Sequence, residues 1–212
     1  MTHRLTSQVL TTEAELVALL GEPTALVRAK VATRLNPLTR QFIERSPFVC
    51  LSTSDRDGGC DVSPRGDPAG FVRILDDVTL LLPERPGNRL ADSLKNLVAN
   101  PHIGLLFLIP GVGDSFRVDG RATITTDAAL LRDCAVEGKP PRLGVLVDIE
   151  HAYTQCSKAL IRSDLWNPAR FVDRAALPSN GAIHCELRGG NFDAAKYDDE
   201  RAARYARRDG FY

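Results

Sequence analysis

An excess of charge of either sign is the first thing this sequence lacks, since 27 lysines and arginines stand against 27 aspartates and glutamates. A protein that grips nucleic acid through its phosphates carries a basic excess or a basic stripe, and the overall balance offers neither. The run from Arg201 to Arg208 holds four arginines, but Asp198, Asp199 and Glu200 precede it. It reads as a solvated helix face, and no nucleic-acid partner is expected. C-x-x-C spacing is also missing: Cys50, Cys60, Cys134, Cys156 and Cys185 are odd in number and scattered. That argues against a zinc site and against a redox dithiol, and it fits a reducing cytoplasm. No apolar stretch approaches the roughly 20 residues needed to span a bilayer, and no basic start leads into an apolar run, so neither membrane insertion nor secretion is expected. Internal repeats and low-complexity segments are absent, and the one proline pair, Pro140-Pro141, reads as a loop.

What is present resembles an average globular chain, with 43% apolar and 25% charged residues. A chain of this size buries roughly 70% of its unfolded surface, enough for one domain. Thr11 or Thr12 can cap a helix running to about Leu20, and 25–44 offers a second helical stretch interrupted near Asn36-Pro37. From Phe48 the texture changes to short β-rich runs at 48–54, 59–63, 71–75 and 78–82, which predict an antiparallel meander. Leucines at 90, 94 and 97 predict a helix over 88–99, stopped by Asn100-Pro101. Strands are expected again over 102–109, 115–125 and 143–153, with a short helix near 128–137.

Six or so short antiparallel strands with few long helices favour closure, because closure removes edges that would template aggregation. The expected fold is mainly β with flanking helices, an α+β chain built on a six-stranded antiparallel barrel. Residues 1–45 form a helical segment packing on the barrel, 46–170 the barrel itself, and 171–212 an extension of the same domain.

Two segments carry chemistry. In Asp61-Val62-Ser63-Pro64-Arg65-Gly66-Asp67 a hydroxyl, a guanidinium and a glycine meet at a strand end. Arginine can donate two parallel hydrogen bonds to a phosphate, and glycine lets the backbone approach closely. Pro-Arg-Gly-Asp is equally a good turn. In the second, Pro83 to Leu94, Asn88 and Arg89 fall at the predicted opening turn of a helix, where unpaired amides favour anions. Asn88 is equally a plain N-cap.

Taken in order, S-P-R-G-D, P-G-N-R-L-x-D-S-L-x-N, N-P and F-R-V-D-G-R-A resemble the flavin-nucleotide-binding branch of the pyridoxamine 5′-phosphate oxidase-like superfamily. The likeness runs over about 25–168 and includes Ala152-Tyr153-x-x-Cys156-x-Lys158-Ala159-Leu160-Ile161-Arg162-Ser163-x-Leu165-Trp166. It implies a six-stranded split barrel that pairs as a homodimer, with an FMN in each cleft between subunits. On that resemblance Ser63, Pro64, Arg65 and Gly66 lie along the ribityl chain and phosphate, and Asn88, Arg89 and Ser93 hold the phosphate. Arg117 faces the isoalloxazine, where a hydrogen bond tunes its electron demand; an outward arginine on an alternating strand is the competing reading. Lys158, Arg162 and Trp166 come from the second subunit, although Trp166 also suits ordinary interface packing. Cys156 reads as a small buried apolar residue, and His151 as a polar strand-end residue.

The implied function is an FMN-dependent oxidoreductase acting on a small molecule, with a nicotinamide donor as one option. A non-enzymatic flavin carrier or sensor is the alternative, as is a split barrel using FAD, a deazaflavin coenzyme or haem. The basic phosphate motif of the vitamin enzyme and its C-terminal arginine-and-histidine substrate motif are missing, so pyridoxamine phosphate oxidation is not expected.

Overall fold

Alternating apolar residues with one buried face build the sheet. In the computed structural model, which describes residues 8–212, seven strands form one antiparallel sheet: β1 (Phe48–Ser54), β2 (Cys60–Gly66), β3 (Arg73–Ile74), β4 (Thr79–Pro83), β5 (His102–Leu108), β6 (Ser115–Thr125) and β7 (Gly144–Gln155). Their order is β2-β1-β5-β6-β7-β4-β3. The expected single meander over the first four strands is corrected, because β1–β2 and β3–β4 are separate hairpins at opposite ends of the sheet. The expected count of six becomes seven, with β3 only two residues long. It is short because Phe71 and Val72, expected in a strand, drop into the core instead. The edges β2 and β3 are not paired with each other.

The helices are α1 (Glu13–Leu20), α2 (Ala25–Ala29), α3 (Pro37–Arg45), α4 (Asp92–Ala99), α5 (Ala128–Arg132), α6 (Lys158–Arg162), α7 (Asn180–Leu187) and α8 (Ala194–Ala206). Thr12 caps α1 in a reciprocal box with Glu15, as the spacing predicts. Neither α1 nor α2 buries a residue, whereas α3 seats Ile43 in the core and stacks Phe42 on Phe116 at 5.6 Å. The helix expected over 128–137 ends at Arg132 because Glu137 and Gly138, both at positive φ, turn the chain so that Val136 and Lys139 pair. None of the helices among the described residues is long and apolar enough to cross a membrane.

One sheet face holds the core, with Val49 and Leu51 of β1, Leu105 and Phe107 of β5, Phe116 and Val118 of β6, and Val145 and Val147 of β7. Between β6 and β7 the register slips: Asp119 pairs with His151 but Gly120 pairs with Ile149, so Glu150 is extra. This bulge decides where side chains point. Before it, Val145, Val147 and Ile149 face the core; after it the buried residue is Ala152. Tyr153 is thereby aimed at the opposite, outer face.

Candidate functional site

Two features on either side of β2 make up the site. Along this edge strand, side chains alternate: Val62 and Pro64 turn to the outer sheet face, while Asp61, Ser63 and Arg65 turn the other way and are half-buried, and the Asp67 side chain beyond them is buried.

The second row is a polar ladder. Ser93, buried on α4, donates its hydroxyl to Asp61 Oδ2. Nη1 of Arg65 donates to both carboxylate oxygens of Glu84, and the two side chains are only 17% and 19% exposed. Asp67 accepts from Nε of Arg85 at 2.5 Å. These pairs tie the end of β2 to the chain leaving β4. Glu84 occupies only one nitrogen of Arg65, and Arg65 Nε is buried with no hydrogen-bond partner. A buried unsatisfied donor costs about 1–3 kcal/mol, so this nitrogen has capacity for a ligand oxygen.

The loop from Glu84 to Ala91 differs from expectation. Asn88 and Arg89 are not on the opening turn of a helix, because α4 begins only at Asp92. Arg89 at φ 66° and Ala91 at φ 57° are left-handed, a conformation that cannot continue into a right-handed helix. Asn88 Oδ1 accepts from the Leu90 amide at 2.9 Å, a local turn. Arg89 is exposed, and its side chain has neither hydrogen bond nor ion pair among the described residues. Ser93, expected at a phosphate, spends its hydroxyl on Asp61.

On the outer face lies a groove of about 650 Å³, lined by residues of β1, β2, β5, β6 and α6 that include Cys50, Val62, Leu106, Arg117, Asp119 and Leu160. Arg117 is exposed on this face, as the outward reading required. Its Nε donates to Asp119 Oδ1 at 2.9 Å, and the guanidinium lies 5.7 Å from the Tyr153 ring centre. The hydrogen bond to Asp119 raises the Arg117 pKa still further, against desolvation, so the cation is permanent. Lys30 Nζ also lies over the Tyr153 ring, 5.3 Å from its centre.

Of the remaining expected residues, only Cys156 lines this groove. Gly66 ends β2. Lys158 and Arg162 are solvent-exposed on α6, while Ala159 and Leu160 of the same helix line the groove. Trp166 is half-buried and donates its indole N–H to the Val112 carbonyl at 2.9 Å within its own chain. Cys156 is corrected: it is exposed at the groove wall rather than buried. His151 is exposed beside the bulge. All five cysteines are free thiols, and among the described residues no cluster of histidine, cysteine and carboxylate side chains is arranged to hold a metal ion.

Sequence reasoning missed the partners these groups take: Glu84 for Arg65, Asp61 for Ser93, and Asp67 and Arg85 for each other. Their signal was faint: Asp61 and Asp67 flank the Ser63–Gly66 motif at even spacing from Arg65 and so share its strand face.

Residues 35–156, more than half of the chain, match the family model described as pyridoxamine 5′-phosphate oxidase. No curated protein matches the chain. Among solved structures, HupZ of Group A Streptococcus is 18% identical, with 58% of this chain and 95% of that one covered at a TM-score of 0.47. An FMN-binding protein from Syntrophomonas wolfei is 17% identical, with 55% and 88% covered at a TM-score of 0.41. HutZ, a haem storage protein from Vibrio cholerae, is 14% identical, with 58% and 94% covered at a TM-score of 0.39.

Proposed function

The chain belongs to the pyridoxamine 5′-phosphate oxidase family, and from that membership we propose that it binds FMN and acts as a flavin-dependent oxidoreductase on a small molecule. The observation that carries this reading is the pairing of an apolar outer groove with a guanidinium on the edge strand: the groove runs against Val62 of β2, and the other face of β2 carries Arg65 with its unpartnered Nε. An amphiphilic anion with a flat apolar ring suits such a site.

The residues fit a flavin nucleotide. Arg65, through its spare nitrogen, and Arg89, free and on a loop, are the phosphate donors, and Ser63 shares the strand face of Arg65. Cys50, Val62, Leu106 and Leu160 supply apolar contact, while Arg117, fixed by Asp119, presents a permanent cation at the groove. When bound, a flavin supplies hydride and electron transfer, and the protein supplies binding, orientation and electrostatics.

In the same proposal the sheet closes as a split barrel and two chains pair as a homodimer over the outer face. Val62 is 67% exposed there, and an apolar face of this kind gains about 25 cal/mol per Å² when covered. Val62→Glu is expected to shift the protein towards monomer in sedimentation equilibrium; a dimer that persists unchanged would move the interface elsewhere.

The central test is the absorption spectrum and mass of the bound molecule after loading with excess FMN. One FMN per chain is the expected result, and turnover with nicotinamide donors and a panel of acceptors would then establish the oxidoreductase. No retained flavin, or bound haem or deazaflavin in its place, would overturn the reading. A flavin that is reduced chemically but passes electrons to no acceptor would favour the carrier. Arg89→Ala is expected to weaken FMN binding about tenfold while leaving the unfolding midpoint unchanged, since the Arg89 side chain makes no hydrogen bond or ion pair among the described residues.

A further inference from the structure

The last residues of the chain return to the polar ladder. Tyr212 donates its hydroxyl to Asp67 Oδ1 at 2.7 Å, while the other oxygen of Asp67 accepts from Arg85 Nε. The Asp67 side chain is only 1% exposed, so both its partners come from the protein. Arg85 also donates from Nη2 to the Cys134 carbonyl at 2.7 Å, and its guanidinium lies 5.3 Å from the Tyr212 ring centre. Arg208 covers the same ring at 5.6 Å and reaches Glu137 at 3.7 Å. Beyond α8, then, residues 207–212 form a strap lying over the junction of β2 with the loop after β4.

That junction governs the loop. Asp67 is two residues from Arg65 on one strand face, and Arg85 follows Glu84 directly. Residues 86–91, which carry Asn88 and Arg89, are all exposed, and the one side-chain hydrogen bond among them is the local turn of Asn88. The loop is anchored on the β4 side at Glu84 and Arg85 and on the α4 side through Ser93 and Asp61.

We propose that Tyr212 is a positioning residue for the anion site: by completing the hydrogen bonds of buried Asp67 and stacking on Arg85, it fixes the loop that carries Asn88 and Arg89. The ligand part of this inference rests on the FMN reading, whereas the loop part does not. Without the phenol, a buried carboxylate oxygen loses its donor, and without the ring Arg85 also loses a cation–π contact. A loop held in its binding geometry loses less freedom on binding, so the strap acts mainly on how long the ligand stays.

The pH dependence has a definite sign. Donation to Asp67, then burial and the Asp67 charge, raise the Tyr212 pKa, with Arg208 and Arg85 opposing. The neutral phenol is thus favoured in the closed strap, whose contribution is complete below the ordinary tyrosine pKa of about 10 and is lost as pH rises through the raised value.

The test compares the parent protein with Tyr212→Phe and Tyr212→Ala. Hydrogen exchange without ligand is expected to quicken about tenfold in 84–91 for Tyr212→Phe and further for Tyr212→Ala, with β5 and β6 unchanged. FMN release is expected to quicken about tenfold in Tyr212→Phe, and only in the parent to speed further as pH rises through the phenol titration. Unchanged exchange in 84–91 overturns the latch. Faster exchange with unaltered FMN release and no pH difference between parent and Tyr212→Phe overturns the positioning role. If the parent retains no FMN, the flavin reading fails, while the exchange comparison still decides whether the strap holds the loop.

Discussion

Replacing Arg65 by alanine is expected to weaken FMN binding about 100-fold, the equivalent of one strong charge-assisted contact, and to destabilise the protein as well. The second effect follows from Glu84. With the pair only 17% and 19% exposed, removing the guanidinium strands a largely buried carboxylate, which costs about 3 kcal/mol or more. Urea denaturation should show the lower midpoint, and titration of the folded variant with FMN the weaker binding. Glu84→Gln separates the two roles. It keeps a hydrogen bond to Arg65 but leaves the guanidinium charge unneutralised, so it should also cost about 3 kcal/mol, yet it should tighten the hold on phosphate. Arg65→Ala that binds FMN as the parent does would take Arg65 out of the site, and a midpoint left unmoved would deny the ion pair with Glu84 any structural weight. Arg65 is therefore a poor probe of binding unless stability is measured beside it, whereas Arg89 is free of that complication.

Gly120→Ala is expected to lower stability by about 3 kcal/mol or more, a fall of roughly 6–12 °C in midpoint for a chain of this size. A Cβ at Gly120 would sit 2.1 Å from the Asp148 carbonyl oxygen and 3.0 Å from its carbon. Both are backbone atoms of the paired strand, so no side-chain rotation relieves the clash. The chain would have to abandon the bulge at Glu150, and with it the shift that turns Tyr153 outward beside Arg117. The variant's surviving folded fraction should consequently show an altered groove, detectable as a changed spectrum of bound flavin. Thermal unfolding close to the parent's would mean that β6 and β7 can pair here without the bulge.

Much of the strand and helix content was legible beforehand because it depends on neighbours in sequence. The limits of β1 and β6 follow from runs of β-branched and apolar residues closed by turn residues, and Thr12 with Glu15 caps α1 from four adjacent positions. Arg65 on an alternating strand and Arg89 after Pro86-Gly87 stand out as candidates for the same reason, since their charge and setting are local. Where a local rule met a longer-range demand it failed. The leucine spacing extends back to Leu90, yet α4 starts at Asp92 because two left-handed residues hold the loop away from the helix axis.

By itself, then, the sequence determined most of the strands, the cap of α1 and the family to which the chain belongs, all of them properties of residue types in order. Tertiary structure alone decided how those residues are spent. It sent the two early hairpins to opposite ends of the sheet, gave Arg65 to Glu84 and Ser93 to Asp61, turned Tyr153 to the outer face beside Arg117 through a one-residue bulge, and brought Tyr212 onto Asp67 across 145 positions. The physical reason is common to all four. Strand neighbours and buried ion pairs are chosen by packing and by the need to satisfy every charge removed from water, and that choice is made between residues whose separation along the chain carries no signal of their meeting.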